Sequence, residues 1–314
     1  MESFKGKNVF ITGINGFIGS GVADYFLSQN ANVVGLVRDV NDKTNKSVLD
    51  RCSIVYGDIL NRNLIQNIIS KYEVDYVLHF ASQAIVSICH NDPYSAYMTN
   101  LNGLLNILEA CRSIEKSPEK IIVMVSDKYY GKTTELPYNE ETHPVVADTY
   151  CTSKICQDFI ALSYGKTYDL PIVTVRSANI YGPGDWNLSR LIPKNIIKLL
   201  NYESPVIYSH SANFLREYIY IDDFCNAISI LLSQANNHEP YNVGGTEPVT
   251  VKNLINNIRS MINPDIKISI QKVDFTEISE QYLDAKKINQ LGWEPKWNLD
   301  EGLADTIPFY ANMT

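Results

Sequence analysis

The feature that most constrains this chain is Gly13-Ile14-Asn15-Gly16-Phe17-Ile18-Gly19, a G-x-x-G-x-x-G turn placed directly after the apolar run Asn8 to Thr12 and opening a helical pattern. Glycines at this spacing permit a tight turn, close approach of backbone to a pyrophosphate, and close packing of the helix on the strand. The helix N-terminus adds free N–H groups and positive potential. In this strand-turn-helix setting the motif predicts dinucleotide binding through Gly13, Asn15, Gly16, Phe17, Ile18 and Gly19.

The rest of the first half extends that unit. Apolar, β-branched runs at Asn32 to Val37, Ser53 to Tyr56, Tyr76 to Phe80, Ile121 to Val125 and Ile172 to Val175 read as further buried parallel strands. Between them Gly16 to Gln29, Asn61 to Tyr72, Tyr94 to Arg112 and Thr149 to Tyr168 have the length of crossover helices. The expected fold is α/β, a doubly wound parallel sheet of six strands (Rossmann type) with a smaller C-terminal substrate-binding lobe. After Arg176 the rhythm changes to a turn-rich YGPGDW, a helix at Leu191 to Leu200, a strand-like YIYI at Tyr218 to Ile221 and a helix from Asp222 to Gln234. A helix near Val251 to Ile262, a KISI strand and helices around Asp284 to Leu291 and Asp300 to Tyr310 follow. Residues 1–175 with about 217–235 are assigned to the dinucleotide-binding domain, and 176–216 with 236–314 to the second lobe.

Charge and composition narrow the partners. A formal net charge of −8 argues against nucleic acid or an anionic membrane as the partner. No stretch is long and apolar enough to span a bilayer, and the start MESFKGKNVFITG gives no sign of a leader. The six cysteines lack metal-ligand spacing, so no metal site is expected and reduced thiols in a cytoplasmic setting are.

The end of the second strand addresses the choice of dinucleotide. NVVGLVRD carries Arg38 before Asp39. A carboxylate repels a 2′-phosphate and a guanidinium attracts one, so Arg38 leans the reading towards NADP, whereas an inward Asp39 would serve NAD. Asp58 and Ile59, after the third strand, are placed to reach the adenine; the plainer reading of Asp58 is a helix cap.

The chemistry falls on Tyr150-Cys151-Thr152-Ser153-Lys154, whose tyrosine and lysine share one helix face. A nearby ammonium favours phenolate, and such a tyrosine can take a proton from a sugar hydroxyl while hydride leaves the same carbon. Tyr150 and Lys154 are therefore both catalytic and cofactor-contacting candidates, and Ser126 at the end of the fifth strand is placed to complete the group.

Together TGINGFIG, LHFASQ, SDKYYG, YCTSK, RSANIYGPGDW, REYIYIDD, YNVGG and LGWEPKW resemble the extended short-chain dehydrogenase/reductases along essentially the whole chain. The resemblance implies action on a nucleotide-diphosphate sugar, cofactor contacts at Ala81, Ser82, Gln83 and Asn100, and a homodimer through helices like those at 94–112 and 149–168. Ser126-Asp127-Lys128 directs it to the nucleotide-sugar 4,6-dehydratases, since 4-epimerases usually carry small or uncharged residues after the serine. The chain is most similar to CDP-glucose 4,6-dehydratases, whose S/T-D-K, G-D-W before R-L-I-P, and Y-L-D before L-G-W are echoed here. By this likeness Asp127 protonates the departing C6 oxygen and Lys128, if neutral, removes the C5 proton; a charged Lys128 would instead stabilise the enolate. The plainer reading of the pair is an exposed strand end.

Asn179, Arg190 and Arg216 are, by the same resemblance, the substrate-side residues, with arginine suited to a diphosphate. A surface salt bridge of Arg216 with Glu217 or Asp222 is its plainer reading. Trp293 and Trp297 read as packing residues. Two departures stand out: YSHSANFLRE lacks the usual glycine-rich turn, and the chain is short for a CDP-glucose 4,6-dehydratase, which leaves CDP-glucose, GDP-mannose and UDP-N-acetylglucosamine open.

Overall fold

The computed structural model describes residues 4–40, 45–133, 135–272 and 278–312. Its centre is a seven-stranded, wholly parallel sheet. The first six strands are β1 (Asn8–Thr12), β2 (Asn32–Val37), β3 (Ser53–Tyr56), β4 (Tyr76–His79), β5 (Lys120–Met124) and β6 (Ile172–Ser177). The spatial order is β3-β2-β1-β4-β5-β6, closed at the edge by Glu239–Val243. The order reverses between β1 and β4, and that crevice is where doubly wound sheets bind ligands.

The strands are apolar on both faces because both are covered. Val9, Ile11, Leu78, Ile122, Val173 and Val175 belong to one buried cluster. Phe10, Val34, Leu36, Val77, Ile121, Val123 and Ile172 belong to the other. The covering helices begin where side chains can satisfy their first N–H groups. Asn61 accepts from the Leu64 N–H ahead of Arg62–Lys71, and Asp148 accepts from the Cys151 N–H ahead of Thr149–Tyr168.

Three sequence expectations need correction. The seventh strand, Glu239–Val243, lies inside the stretch assigned to the second lobe, yet it pairs in parallel with β6 from Glu239↔Val173 to Val243↔Ser177. Its Pro240 masked the strand pattern, and an edge position tolerates that proline. The helix read over 94–112 is not uniform: Pro93–Tyr97 widens into a π turn at Met98–Asn102 before Gly103–Ser113. The helix expected at Asp284 to Leu291 shrinks to Lys286–Asn289.

Smaller strand pairs lie apart from the central sheet. Asn179–Tyr181 pairs with Tyr218–Tyr220, and Leu215–Arg216 lies between Val249–Thr250 and Glu280–Gln281. The helix Ile221–Gln234 returns against the helix Phe17–Ser28, where a side-chain carbon at Gly21 would stand 2.9 Å from Ile221. Trp293 is buried and donates to the Asp223 carbonyl, while Trp297 packs on Tyr220, so both act in packing as expected. Among the described residues no helix is long and apolar enough to cross a membrane.

Candidate active site

The end of β1 is shaped by what its glycines lack. Gly13 sits at φ +69°, and a side-chain carbon there would come 2.9 Å from the Ala81 amide nitrogen. One at Gly19 would come 2.2 Å from the Gly13 carbonyl oxygen. The turn therefore lies flat against both the Ala81 loop and its own helix. The helix Phe17–Ser28 has no side-chain cap at Gly16 and no acidic residue in its first turn. With no acidic side chain in that first turn, its positive end offers the environment a pyrophosphate requires. Asn15 reaches across to donate to the Asp39 carbonyl at 2.8 Å, tying the turn to the end of β2. There Arg38 Nε donates to Asp39 Oδ2 at 2.7 Å with both side chains exposed.

Asp58 accepts from the Leu60 N–H at 2.9 Å, a local turn bond; the helix that follows is capped by Asn61, so the capping role considered for Asp58 is corrected. Ile59 is buried, with its side chain against Gly103.

The loop after β4 is held from below. The Ala81 N–H donates to Thr12 Oγ1 at 3.1 Å. Ser82 Oγ and the Gln83 N–H both donate to Asn100 Oδ1, at 3.2 and 2.7 Å. The Asn100 amide donates in turn to the Gln83 carbonyl and to Ser153 Oγ, at 3.3 and 2.9 Å. Both lone pairs and both protons of this fully buried amide are thus committed. The Asn100 side chain clamps the Ser82–Gln83 loop to the helix that carries Tyr150 and Lys154. The π turn presents it inward, as such widened turns do at functional sites.

At the end of β5, Ser126 Oγ donates to Asp127 Oδ1 at 2.9 Å and accepts from the Lys128 N–H at 3.2 Å. Asp127 is 3% exposed, and among the described residues its Oδ2 has no hydrogen-bond partner. An exposed strand-end pair is therefore not what the structure shows. Burial raises the Asp127 carboxyl above its ordinary range, against the opposing pull of Lys128, the Ser126 hydroxyl and Arg216. Lys128 is half-buried, beside it.

Tyr150 stands over this group. Burial raises its phenol well above the ordinary value, and Asp127 and Cys89 add to the rise; the Ser126 hydrogen bond and Arg190 oppose it. This reverses the expected direction, because burial of the phenol outweighs the groups that pull it down. Lys154 is buried under the Tyr150 ring, 5.8 Å from its centroid, and donates to the Met124 carbonyl at 3.1 Å. Burial lowers its ammonium to about 7.

The substrate-side residues separate. Arg190 pairs with the buried Asp185 at 3.4 Å and its field reaches Tyr150. Arg216 is buried and donates to the carbonyls of Leu215, Ser279 and Ile278, at 2.8, 3.2 and 2.6 Å, while its field reaches Asp127. Asn179 is exposed, with its amide donating to the Glu217 carbonyl at 3.1 Å.

Two buried residues beside these groups were not among the site residues read from the sequence. Glu217, 4% exposed, accepts from the N–H groups of Gly245 and Leu283 at 3.1 and 3.0 Å. Burial raises its carboxyl to about 8, and the Asp127 charge adds to the rise. His79 bonds Thr12 Oγ1 at 2.9 Å through Nδ1; burial, then the Lys154 charge, lower it to about 3. Both lie inside quoted motifs, REYIYIDD and LHFASQ, but no spacing signals a buried side chain.

Comparison with known proteins bears on this geometry. Residues 10–306 match the family described as GDP-mannose 4,6 dehydratase. A trifunctional UDP-glucose 4,6-dehydratase/UDP-4-keto-6-deoxy-D-glucose 3,5-epimerase/UDP-4-keto-L-rhamnose-reductase of Arabidopsis thaliana is 29% identical over 99% of this chain. The match spans about half of that protein, 48% of its length. Among solved structures, a UDP-glucose 4-epimerase of Thermotoga maritima, described with UDP-glucose, superposes with a TM-score of 0.91 at 25% identity, covering 98% of this chain and 99% of its own. A dTDP-glucose 4,6-dehydratase of Bacillus anthracis, described in complex with NAD, gives 0.87 at 28% identity over 98% and 97%.

Proposed function

This chain belongs to the GDP-mannose 4,6 dehydratase family, and on that premise we propose that it is an NAD(P)-dependent nucleotide-sugar 4,6-dehydratase, giving a 4-keto-6-deoxy sugar nucleotide. The observation that carries the reading is Asp127, a carboxyl buried between Ser126 and Lys128, where burial favours the protonated form that a general acid needs. An epimerase has no use for such an acid.

Gly13, Asn15, Gly16, Phe17, Ile18 and Gly19 would hold the pyrophosphate, Arg38, Asp39, Asp58 and Ile59 the adenosine end, and Ala81, Ser82, Gln83, Tyr150 and Lys154 the nicotinamide end. A bound dinucleotide would supply the hydride chemistry, oxidising at C4 of the sugar and reducing at C6. Tyr150 takes the proton of the C4 hydroxyl as the ketone forms. The ketone acidifies the C5–H bond, and Lys128 serves that step either as the base that takes the C5 proton or as the cation that steadies the enolate while another group takes it. Asp127 protonates the departing C6 oxygen, which leaves as water, and C5 regains a proton. Arg190, Arg216 and Asn179 face the nucleotide-diphosphate side, with the two arginines suited to its phosphates.

Arg38 supports NADP as the cofactor, and sequence likeness supports a CDP-linked glucose as the sugar. The second reading is a nucleotide-sugar 4-epimerase or 4-dehydrogenase, favoured by the superposition on a 4-epimerase. Purified protein incubated in deuterated water with CDP-glucose, GDP-mannose, UDP-glucose, UDP-N-acetylglucosamine and dTDP-glucose separates them. A 4-keto-6-deoxy product with one solvent deuterium at C5 is expected. An inverted C4 with unchanged mass would overturn the dehydratase. We also propose a homodimer, supported by Tyr94, Phe159 and Tyr168, which stay exposed along the two helices expected to pair.

A further inference from the structure

Arg176 carries a charge that solvent hardly meets. It lies near the end of β6 and is 3% exposed. Its Nε and Nη2 donate to Asp158 Oδ1 and Oδ2 at 3.3 and 2.7 Å, a two-pronged pair with a fully buried carboxylate. Asp158 sits four residues beyond Lys154 and eight beyond Tyr150, so the three occupy one stripe of the helix Thr149–Tyr168.

The other side of the same guanidinium belongs to the turn after β5. Its carbon lies 3.7 Å from the Tyr129 ring centroid, and Nη1 donates to Tyr130 Oη at 3.1 Å and to the Glu140 carbonyl at 3.0 Å. Tyr129 and Tyr130 complete the short 3-10 turn Asp127–Tyr130. One planar cation thus grips the oxidation helix on one edge and the elimination turn on the other. A lysine has neither the fork nor the flat face to do both.

The grip extends to the second lobe. The Tyr130 hydroxyl, having accepted from Arg176, donates its proton to Asn242 Oδ1 at 2.6 Å. Asn242 passes on two amide bonds, to the carbonyls of Tyr138 at 2.8 Å and Asp284 at 3.2 Å. Tyr138 stacks on Tyr130 at 4.8 Å, and its backbone N–H donates to the Tyr282 carbonyl while its carbonyl accepts from the Asp284 N–H. That segment continues from Glu280–Gln281, the strand paired with Arg216.

We propose that Arg176 is a positioning residue that sets Asp127 and Lys128 against Tyr150 and Lys154, with Tyr130 and Asn242 carrying the register of the substrate lobe into that setting. The inference rests on the dehydratase reading, because only a reaction with separate oxidation and elimination steps needs two groups of residues held in one frame. It predicts an uncoupling that plain structural support would not give.

The test is rapid-mixing kinetics on the full chain, wild type beside Tyr130→Phe and Arg176→Lys, following bound reduced nicotinamide and solvent deuterium at C5. Tyr130→Phe keeps the stacked ring and loses only the hydroxyl link, so it guards against misfolding of the charge variant. Both are expected to form reduced nicotinamide at close to the wild-type rate. Elimination is expected to slow by about tenfold to a hundredfold, the scale of a small misplacement of reacting groups. Reduced cofactor then accumulates during turnover, with little change in KM. If folded Tyr130→Phe slows both steps equally, or neither, the inference falls alone. If the wild type forms no 4-keto-6-deoxy product with any sugar nucleotide, the dehydratase reading and the inference fall together.

Discussion

The ends of β1 and β5 face the same crevice and are built by opposite means. At β1 the site is backbone: glycines whose missing side chains let Gly13 lie against Ala81, and a helix end left uncapped. At β5 the site is side chains, Ser126, Asp127, Tyr150 and Lys154, whose behaviour is set by what buries them. A backbone site depends on what cannot be added. A side-chain site depends on neighbours distant in sequence, and so it decides the reaction while the backbone site decides only the ligand.

Replacing Tyr150 by Phe presses hardest on that contrast. Removing a positioned proton acceptor is expected to cost turnover by about 100-fold to 10,000-fold. Cofactor affinity and melting temperature should stay near wild type, because the ring remains packed on Cys89 and Ala96. Titration of the variant with the dinucleotide checks this; a comparable loss of binding would show that the two ends are one site.

Gly19→Ala strikes the other end. The added carbon would stand 2.2 Å from the Gly13 carbonyl oxygen, and backbone must shift to admit it. Overpacking of about 1–3 kcal/mol concentrated on the pyrophosphate turn should weaken the cofactor by about tenfold to a hundredfold. With cofactor saturating, turnover should recover most of the way. Unchanged affinity by calorimetry would mean that the turn does not need its close approach.

What the chain reveals before it folds follows the same division. The turn at Gly13 to Gly19 and the strands that feed it are written locally, in glycine spacing and in apolar runs, and they stand where the pattern puts them. The edge strand at Glu239–Val243 escaped because it is short and carries a proline, and only its partner β6 makes it a strand. The clamp that Asn100 makes was not legible, because it depends on Ser82, Gln83 and Ser153 arriving together. The direction of the Tyr150 shift was misread for the same reason. Spacing supplied Lys154 as a neighbour and could not show that the Tyr150 phenol is itself buried.

His79, beneath both ends, adds a pH signature. Burial, and then the Lys154 charge, hold its folded value at about 3 against an ordinary 6.5. The unfolded chain takes up a proton as pH falls through 6.5 and the folded chain does not until about 3, so stability is lost progressively across that window. Above it the contribution is fully present. Denaturant titrations of wild type and His79→Gln should therefore converge in stability as pH drops from 6.5 towards 3. Parallel curves would mean that the folded histidine takes its proton like the unfolded one.

The smallest expected effect is at Arg38, and it sharpens the backbone end by asking what side chains add there. Its guanidinium is exposed and already shared with Asp39 at 2.7 Å, so its pull on a 2′-phosphate is that of a surface charge. Such pairs change affinity by about fivefold at most. Arg38→Ala should lower NADP affinity by that factor and leave NAD unchanged or slightly improved, since Asp39 is then free to accept from ribose hydroxyls. The ratio of Michaelis constants for the two dinucleotides reads it directly, and because the contact is solvent-facing, added salt should erase the same preference in the wild type. A ratio that neither the substitution nor salt can move would place the choice of dinucleotide in the backbone turn itself.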